Sequence, residues 1–140
     1  MFDKVLVAID GSESSDAAIT VAGELVGKLG SDLEVLHVHE HDAVPSKAGM
    51  SPDLETSEEA RGVVAAAVDV LQTSGVNAHG HVLQSSTRDV PRKIIAFTVE
   101  NDVDLIIVGR RGISSLTGML VGSVSNKLIH AAPVPVMVAH

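Results

Sequence analysis

Two short stretches of this sequence hold residues whose types and spacing could do chemistry. One is Ile9-Asp10-Gly11-Ser12. The other opens with Val108-Gly109-Arg110-Arg111-Gly112 and runs on to Gly122-Ser123-Val124-Ser125. Gly109 and Gly112 let the main chain approach a phosphate closely. Gly122-Ser123-Val124-Ser125 leads into a helical pattern, and the first N–H groups and positive dipole end of a helix attract an anion. Ser123 and Ser125 add hydroxyl donors. On spacing alone this is an anion-binding loop. It is neither G-x-x-x-x-G-K-[ST] nor G-x-G-x-x-G, which argues against a P-loop NTPase and a dinucleotide-binding enzyme. Asp10 either braces the turn it sits in or faces a ligand, and the glycine loop favours the ligand. Arg110 and Arg111 either clamp phosphates or stay solvated, with at most one facing the ligand. Ser114, Ser115 and Thr117 read as loop polars with water partners.

The elements that must position these residues follow from periodicity. Lys4–Ile9 is an apolar, β-branched strand ended by Asp10-Gly11-Ser12. Ala18, Val21, Ala22, Leu25, Val26 and Leu29 recur at helical spacing between an N-cap at Ser12 and a C-cap at Gly30. Leu33–Val38 is a second strand, followed by an irregular loop from His41 to Glu55. A helix marked by Ala60, Val63, Val64, Ala67, Val70 and Leu71 closes at Ser74-Gly75. Val76–Leu83 is a third strand, weakened by Gly80. The third helix carries Val90, Ile94, Ile95 and Thr98 and starts close to Pro91. Asp104–Val108 is the clearest strand. After the glycine segment come a short helix with Val124, Leu128 and Ile129 and a last strand, Val136–Ala139. Strict βαβαβαβαβ alternation predicts a single α/β domain over residues 1–140, with a parallel sheet and helices on both faces. In such a sheet the ligand lies beyond the carboxyl ends of the strands, where the strand order reverses.

Composition narrows the partners. Apolar residues make up 45% with almost no aromatics, so the core must be built from Val, Ala, Leu and Ile. A net charge of −8 argues against a broad nucleic-acid surface or an anionic membrane. A local nest of N–H groups can still hold phosphate against that field. The absence of cysteine excludes disulfides, thiol catalysis and cysteine-ligated zinc. No apolar run reaches the length of a membrane helix, and the chain enters a strand at once with no leader, so a soluble, cytoplasmic protein is expected.

Histidines cluster at His37, His39 and His41 and again at His79 and His81. Spacing of two puts neighbours on one side of a strand. A metal site or a pH sensor would use such a pattern; the reading preferred here is half-exposed strand-end residues and no metal ligand. The apolar run Val134–Ala139 would form a sheet edge, and pairing with a second copy about a two-fold axis would cover it.

The spacing Gly109-x2-Gly112-x9-Gly122-Ser123 resembles the G-x2-G-x9-G-[ST] signature of the ATP-binding type of universal stress protein. Lys4-Val5-Leu6-Val7-Ala8-Ile9-Asp10-Gly11-Ser12, Leu36-His37-Val38 and Ala132-Pro133-Val134-Pro135-Val136 are similar to that family too, so the resemblance spans the chain. It implies a Rossmann-like fold of the adenine nucleotide alpha hydrolase-like kind, an open five-stranded parallel sheet in the order 3-2-1-4-5. It implies ATP or another adenine nucleotide, with Mg²⁺ helping. Ala8, Ile9 and Val38 would flank the adenine, and Asp10 would sit near the sugar and phosphates. Val108 and Gly109 would line the sugar-phosphate side. Gly112, Gly122, Ser123, Val124 and Ser125 would hold the phosphates, with Arg111 as the candidate arginine. It implies a homodimer through the last strand and a nucleotide-responsive regulator in stress adaptation. The alternatives are a slow ATPase or phosphoryl-transfer enzyme, lacking a Walker lysine and a clear base, and a dimeric scaffold without nucleotide. Asp89-Val90-Pro91-Arg92 departs from the family's usual small-residue helix start, which should move a helix boundary and leave the site alone.

Overall fold

A computed structural model describes residues 1–41, 56–86, 89–110 and 123–140. Its elements are β1 (Lys4–Ile9), α1 (Glu13–Leu29), β2 (Asp32–His41), α2 (Ser57–Thr73), β3 (Ala78–Ser86), α3 (Val90–Glu100), β4 (Leu105–Gly109), α4 (Ser123–Ala131) and β5 (Val136–Ala139). The five strands form one parallel sheet in the order β3-β2-β1-β4-β5. The predicted α/β fold class and strand order are therefore observed.

Alternation along the strands divides the core in two. Val5, Val7 and Ile9 of β1 join Leu33 and Val35 of β2 and Leu105 and Ile107 of β4 under α1 and α2. The intervening Leu6, Leu36, Val38, Ile106 and Val108 lie against Ile94 and Phe97 of α3 and Leu128 of α4. Both faces are apolar because both are covered, as expected for parallel strands.

Local signals fix the helix ends. Ser12 caps α1, its side chain accepting from the Ser15 N–H, and the Gly30 N–H closes the far end on the Val26 carbonyl at 2.8 Å. Thr56 and Glu59 form a reciprocal capping box at the start of α2. Pro91 stands in the first turn of α3, where its missing N–H costs nothing.

Three strands differ in their bounds. β4 runs Leu105–Gly109 rather than Asp104–Val108, β2 starts at Asp32 and continues past Val38 to His41, and β3 runs Ala78–Ser86 rather than Val76–Leu83, with the ladder pairing His39 to Gln84 and Glu40 to Ser85. The extension is possible because His37 and His39 are buried, 3% and 2% exposed, and not half exposed as the sequence suggested. His37 Nδ1 lies 2.8 Å from the Ile9 carbonyl on the neighbouring strand, which satisfies the ring in the interior. Gly80 is no weak point. A Cβ there would stand 2.6 Å from Val64 Cγ1, so the bare backbone is what lets α2 lie close on β3.

Candidate functional site

β1 and β4 are neighbours, but the chain leaves β1 for β2 on one side and reaches β5 from β4 on the other. The crevice beyond their carboxyl ends is thus the place where the connections diverge. A narrow slot of about 80 Å³ opens there, lined by Ala8, Ile9, Asp10, Ser15, Leu36, Val38, Val90, Ile94, Val108, Gly109, Val124 and Ser125. Its floor is a row in register, Leu36, Ala8 and Val108 on three adjacent strands. Its walls are Val90 and Ile94 on α3 and Val124 on α4. The polar atoms gather at one end, where Asp10, Ser15, Gly109 and Ser125 meet.

Asp10 is bound tightly into the turn between β1 and α1. Its Oδ1 accepts from the Ser12 N–H at 2.9 Å and from the Ser15 hydroxyl at 2.7 Å, while its own N–H donates to Ser15 Oγ at 2.9 Å. The bracing role is therefore real. Among the described residues its second oxygen, Oδ2, takes no hydrogen bond, so Asp10 retains an acceptor beside the slot.

Gly109 and Ser125 form a joint between three elements. A Cβ on Gly109 would lie 2.6 Å from Ser14 Oγ and 2.7 Å from the Ser14 carbonyl carbon. The lack of a side chain thus admits the first turn of α1, a reason distinct from the approach to phosphate expected from sequence. The Ser125 hydroxyl donates to the Gly109 carbonyl at 2.8 Å. The hydroxyl marked from sequence as a donor thus gives its proton to the backbone here, with its lone pairs left as acceptors. Ser125→Ala should lower stability by about 1 kcal/mol in urea unfolding with an unchanged m value, because the part-buried Gly109 carbonyl loses its partner.

Eight of the sequence-derived residues line the slot together: Ala8, Ile9, Asp10, Val38, Val108, Gly109, Val124 and Ser125. Ser123 is exposed at the start of α4 and does not line it. Arg111, Gly112, Gly122 and the loop polars Ser114, Ser115 and Thr117 lie outside the described residues, as does 42–55, the body of the loop after β2. Arg110 N–H donates to the Ala139 carbonyl at 2.9 Å and extends the sheet. Four lining residues escaped the sequence reading. Leu36 was visible in principle, two residues before Val38 and so on the same face. Val90 and Ile94, four apart on α3, follow from that helix starting at the carboxyl end of the sheet. The Asp89-Val90-Pro91 start therefore places Val90 in the lining of the slot. Ser15 gave no signal beyond its place one turn after Asp10.

A wider depression of about 450 Å³ lies between α1 and α2, lined by Ile19, Thr20, Val63, Ala67 and Val70 among others. Among the described residues it shares only Ile9 and Ser15 with the slot and has no contribution from β4 or α4, the elements that the sequence marks for an anion.

A family model described as the universal stress protein family matches residues 1–140. Universal stress protein YxiE of Bacillus subtilis is 32% identical over 147 residues, covering 99% of each chain. A universal stress protein of Mycolicibacterium smegmatis is 33% identical over 97% of this chain, which spans only 47% of that relative's length. Among solved structures, the universal stress protein from Archaeoglobus fulgidus in complex with dAMP superposes with a TM-score of 0.72 at 23% identity, covering 99% and 98% of the two chains. A universal stress protein family member from Arabidopsis thaliana with AMP bound gives a TM-score of 0.66 at 21% identity, covering 97% and 90%.

Proposed function

The chain belongs to the universal stress protein family, and from that premise we propose that the slot beyond β1 and β4 binds an adenine nucleotide, ATP foremost, as the input of a dimeric stress-adaptation regulator. The observation that carries this reading is the lining: an apolar floor and walls ending in Asp10 and the first turn of α4. At about 80 Å³ the slot is narrower than the roughly 300–1,000 Å³ of whole-ligand pockets. It suits one flat ring, with sugar and phosphates at the mouth. Adenine fits, since Leu36, Val38, Ala8 and Val108 offer apolar surface and the strand ends offer main-chain polar groups. The dAMP and AMP held by two structural relatives support the same ligand class.

Oδ2 of Asp10 would accept a hydroxyl from the sugar. The phosphates would extend toward Ser123, Val124 and Ser125, where helix N–H groups favour an anion. Residues Gly112, Gly122 and Arg111 would complete that cradle. Among the described residues Asp10 is the one carboxylate in the slot lining, so Mg²⁺ would be held chiefly by the phosphates themselves. With Asp10 Oδ1 already bound to Ser12 and Ser15, the arrangement favours holding a nucleotide over activating a water to hydrolyse it. The homodimer would form along β5, an edge strand whose Met137 is exposed. Among the described residues no helix is long and apolar enough to cross a membrane, and we place the protein in the cytoplasm.

Titration calorimetry of nucleotide-stripped protein with ATP, ADP, AMP and cyclic AMP tests the proposal. Binding should raise the melting temperature, the stabilisation reaching about 1.4 kcal/mol at ten times Kd. No heat and no shift with any of the four would leave the scaffold reading.

A further inference from the structure

On the α3 side of the sheet, next to the slot floor at Leu36 and reaching from there toward the amino ends of the strands, alternation gathers a second group of side chains. Leu33 and Val35 of β2 and Ala78 and Val82 of β3 face α1 and α2. Glu34, His79 and His81 therefore share the opposite face, with the register pairing Glu34 to His79 and Leu36 to His81. Glu34 is 9% exposed, and its Oε2 lies 2.6 Å from His81 Nε2. The His81 ring leans on Phe97, with centroids 4.9 Å apart and planes at 59°, which fixes its orientation. His79 is exposed on β3, an edge strand.

We propose that Glu34, His79 and His81 form a site for a divalent transition ion of the zinc type. Two imidazoles and a carboxylate without sulfur suit Zn²⁺ or Ni²⁺ and not Mg²⁺, which prefers an all-oxygen shell. Glu34 and His81 now share one hydrogen-bonding proton. An incoming ion takes Oε2 and Nε2 as ligands at about 2.0–2.2 Å; the proton between them passes to Nδ1 of a neutral ring, or to solvent from an imidazolium, and the two atoms separate to about 3.4 Å, the edge of a tetrahedron. Among the described residues no three such groups already surround one point. The site closes when His79, next but one to His81 and in register with Glu34, turns inward, and its exposure lets it do so without unpacking the core. Water completes the tetrahedron from the open edge. Asp32, two residues before Glu34 and held by Asn77 Nδ2 at 2.6 Å, adds negative charge at the mouth. None of this depends on a nucleotide.

The test is calorimetric titration of chelator-treated, nucleotide-free protein with Zn²⁺ alone, followed by Co²⁺ substitution read by visible absorption. The wild type should bind Zn²⁺, and the Co²⁺ form should show the intense bands of a tetrahedral site. His79→Ala should weaken Zn²⁺ at least about tenfold and abolish those bands, while the metal-free melting temperature stays unchanged. Glu34→Gln should do likewise for the ion, and serves as the second variant because it keeps the side chain's shape. Wild-type Zn²⁺ affinity in both variants, or no Zn²⁺ binding by the wild type, would overturn the assignment.

Discussion

Gly109→Val is expected to cost about 3 kcal/mol of stability and to remove nucleotide binding. The new Cβ would meet Ser14, with its Oγ at 2.6 Å and its carbonyl carbon at 2.7 Å. Ser14 lies in the first turn of α1, so the backbone itself must retreat, and no rotamer change relieves the clash. The retreat carries Ser15 with it and so disturbs both of that residue's hydrogen bonds to Asp10. On the other side, Gly109 accepts from Ser125 and so holds the start of α4. One substitution therefore moves the sugar end and the phosphate end of the proposed site together. Gly27→Ala is the control: nothing lies within 4 Å of its added Cβ, and helix propensity predicts a neutral or stabilising change. Urea unfolding of the two variants, with ATP titrations at a temperature where both are folded, separates the effects. A Gly109→Val protein with wild-type stability would mean that α1 does not press on β4 as described.

The same residue shows where sequence reading succeeds and where it stops. Gly109 and Ser125 were marked because their types and spacing suit an anion, and the fold brings them to 2.8 Å. That Gly109 must be bare to admit Ser14 could not be seen, since the two are far apart in the chain and only packing joins them. The strand core was legible because Val5–Val7 and Ile106–Val108 are apolar on both faces, which a doubly covered parallel sheet requires. The end of β2 was not. Hydropathy breaks at His37 and His39, yet both are interior, and the Ile9 carbonyl beside His37 Nδ1 is the kind of partner no periodicity reveals. Gly80 misled in the same way: read as a flaw in a strand, it is the contact surface for Val64 and Val68. For the slot, the glycine spacing pointed to its polar end at Gly109 and Ser125, whereas the walls from α3 depend on where that helix begins over the sheet.

A second substitution isolates the base end of the site from the fold. Ala8 sits mid-floor, in register with Leu36 on one side and Val108 on the other, and all three line the slot. Ala8→Leu adds three carbons to a residue that lines that space. The slot is small, about 80 Å³, so the added side chain would occupy the volume assigned to the ring. AMP and ATP should both lose at least about 100-fold in affinity, since filling the ring site acts before any phosphate is reached; that is more than 2.7 kcal/mol of binding. The ligand-free protein should keep its stability or gain about 0.5–2 kcal/mol, as cavity-filling changes commonly do. Zn²⁺ binding at Glu34, His79 and His81 should be kept, because Leu36 on β2 stands between Ala8 and His81 in their shared row. If Ala8→Leu instead destabilised the fold, the slot would be packed core. If it bound AMP like the wild type, the ring would sit somewhere other than above Ala8, and the proposal would have to move to a different crevice.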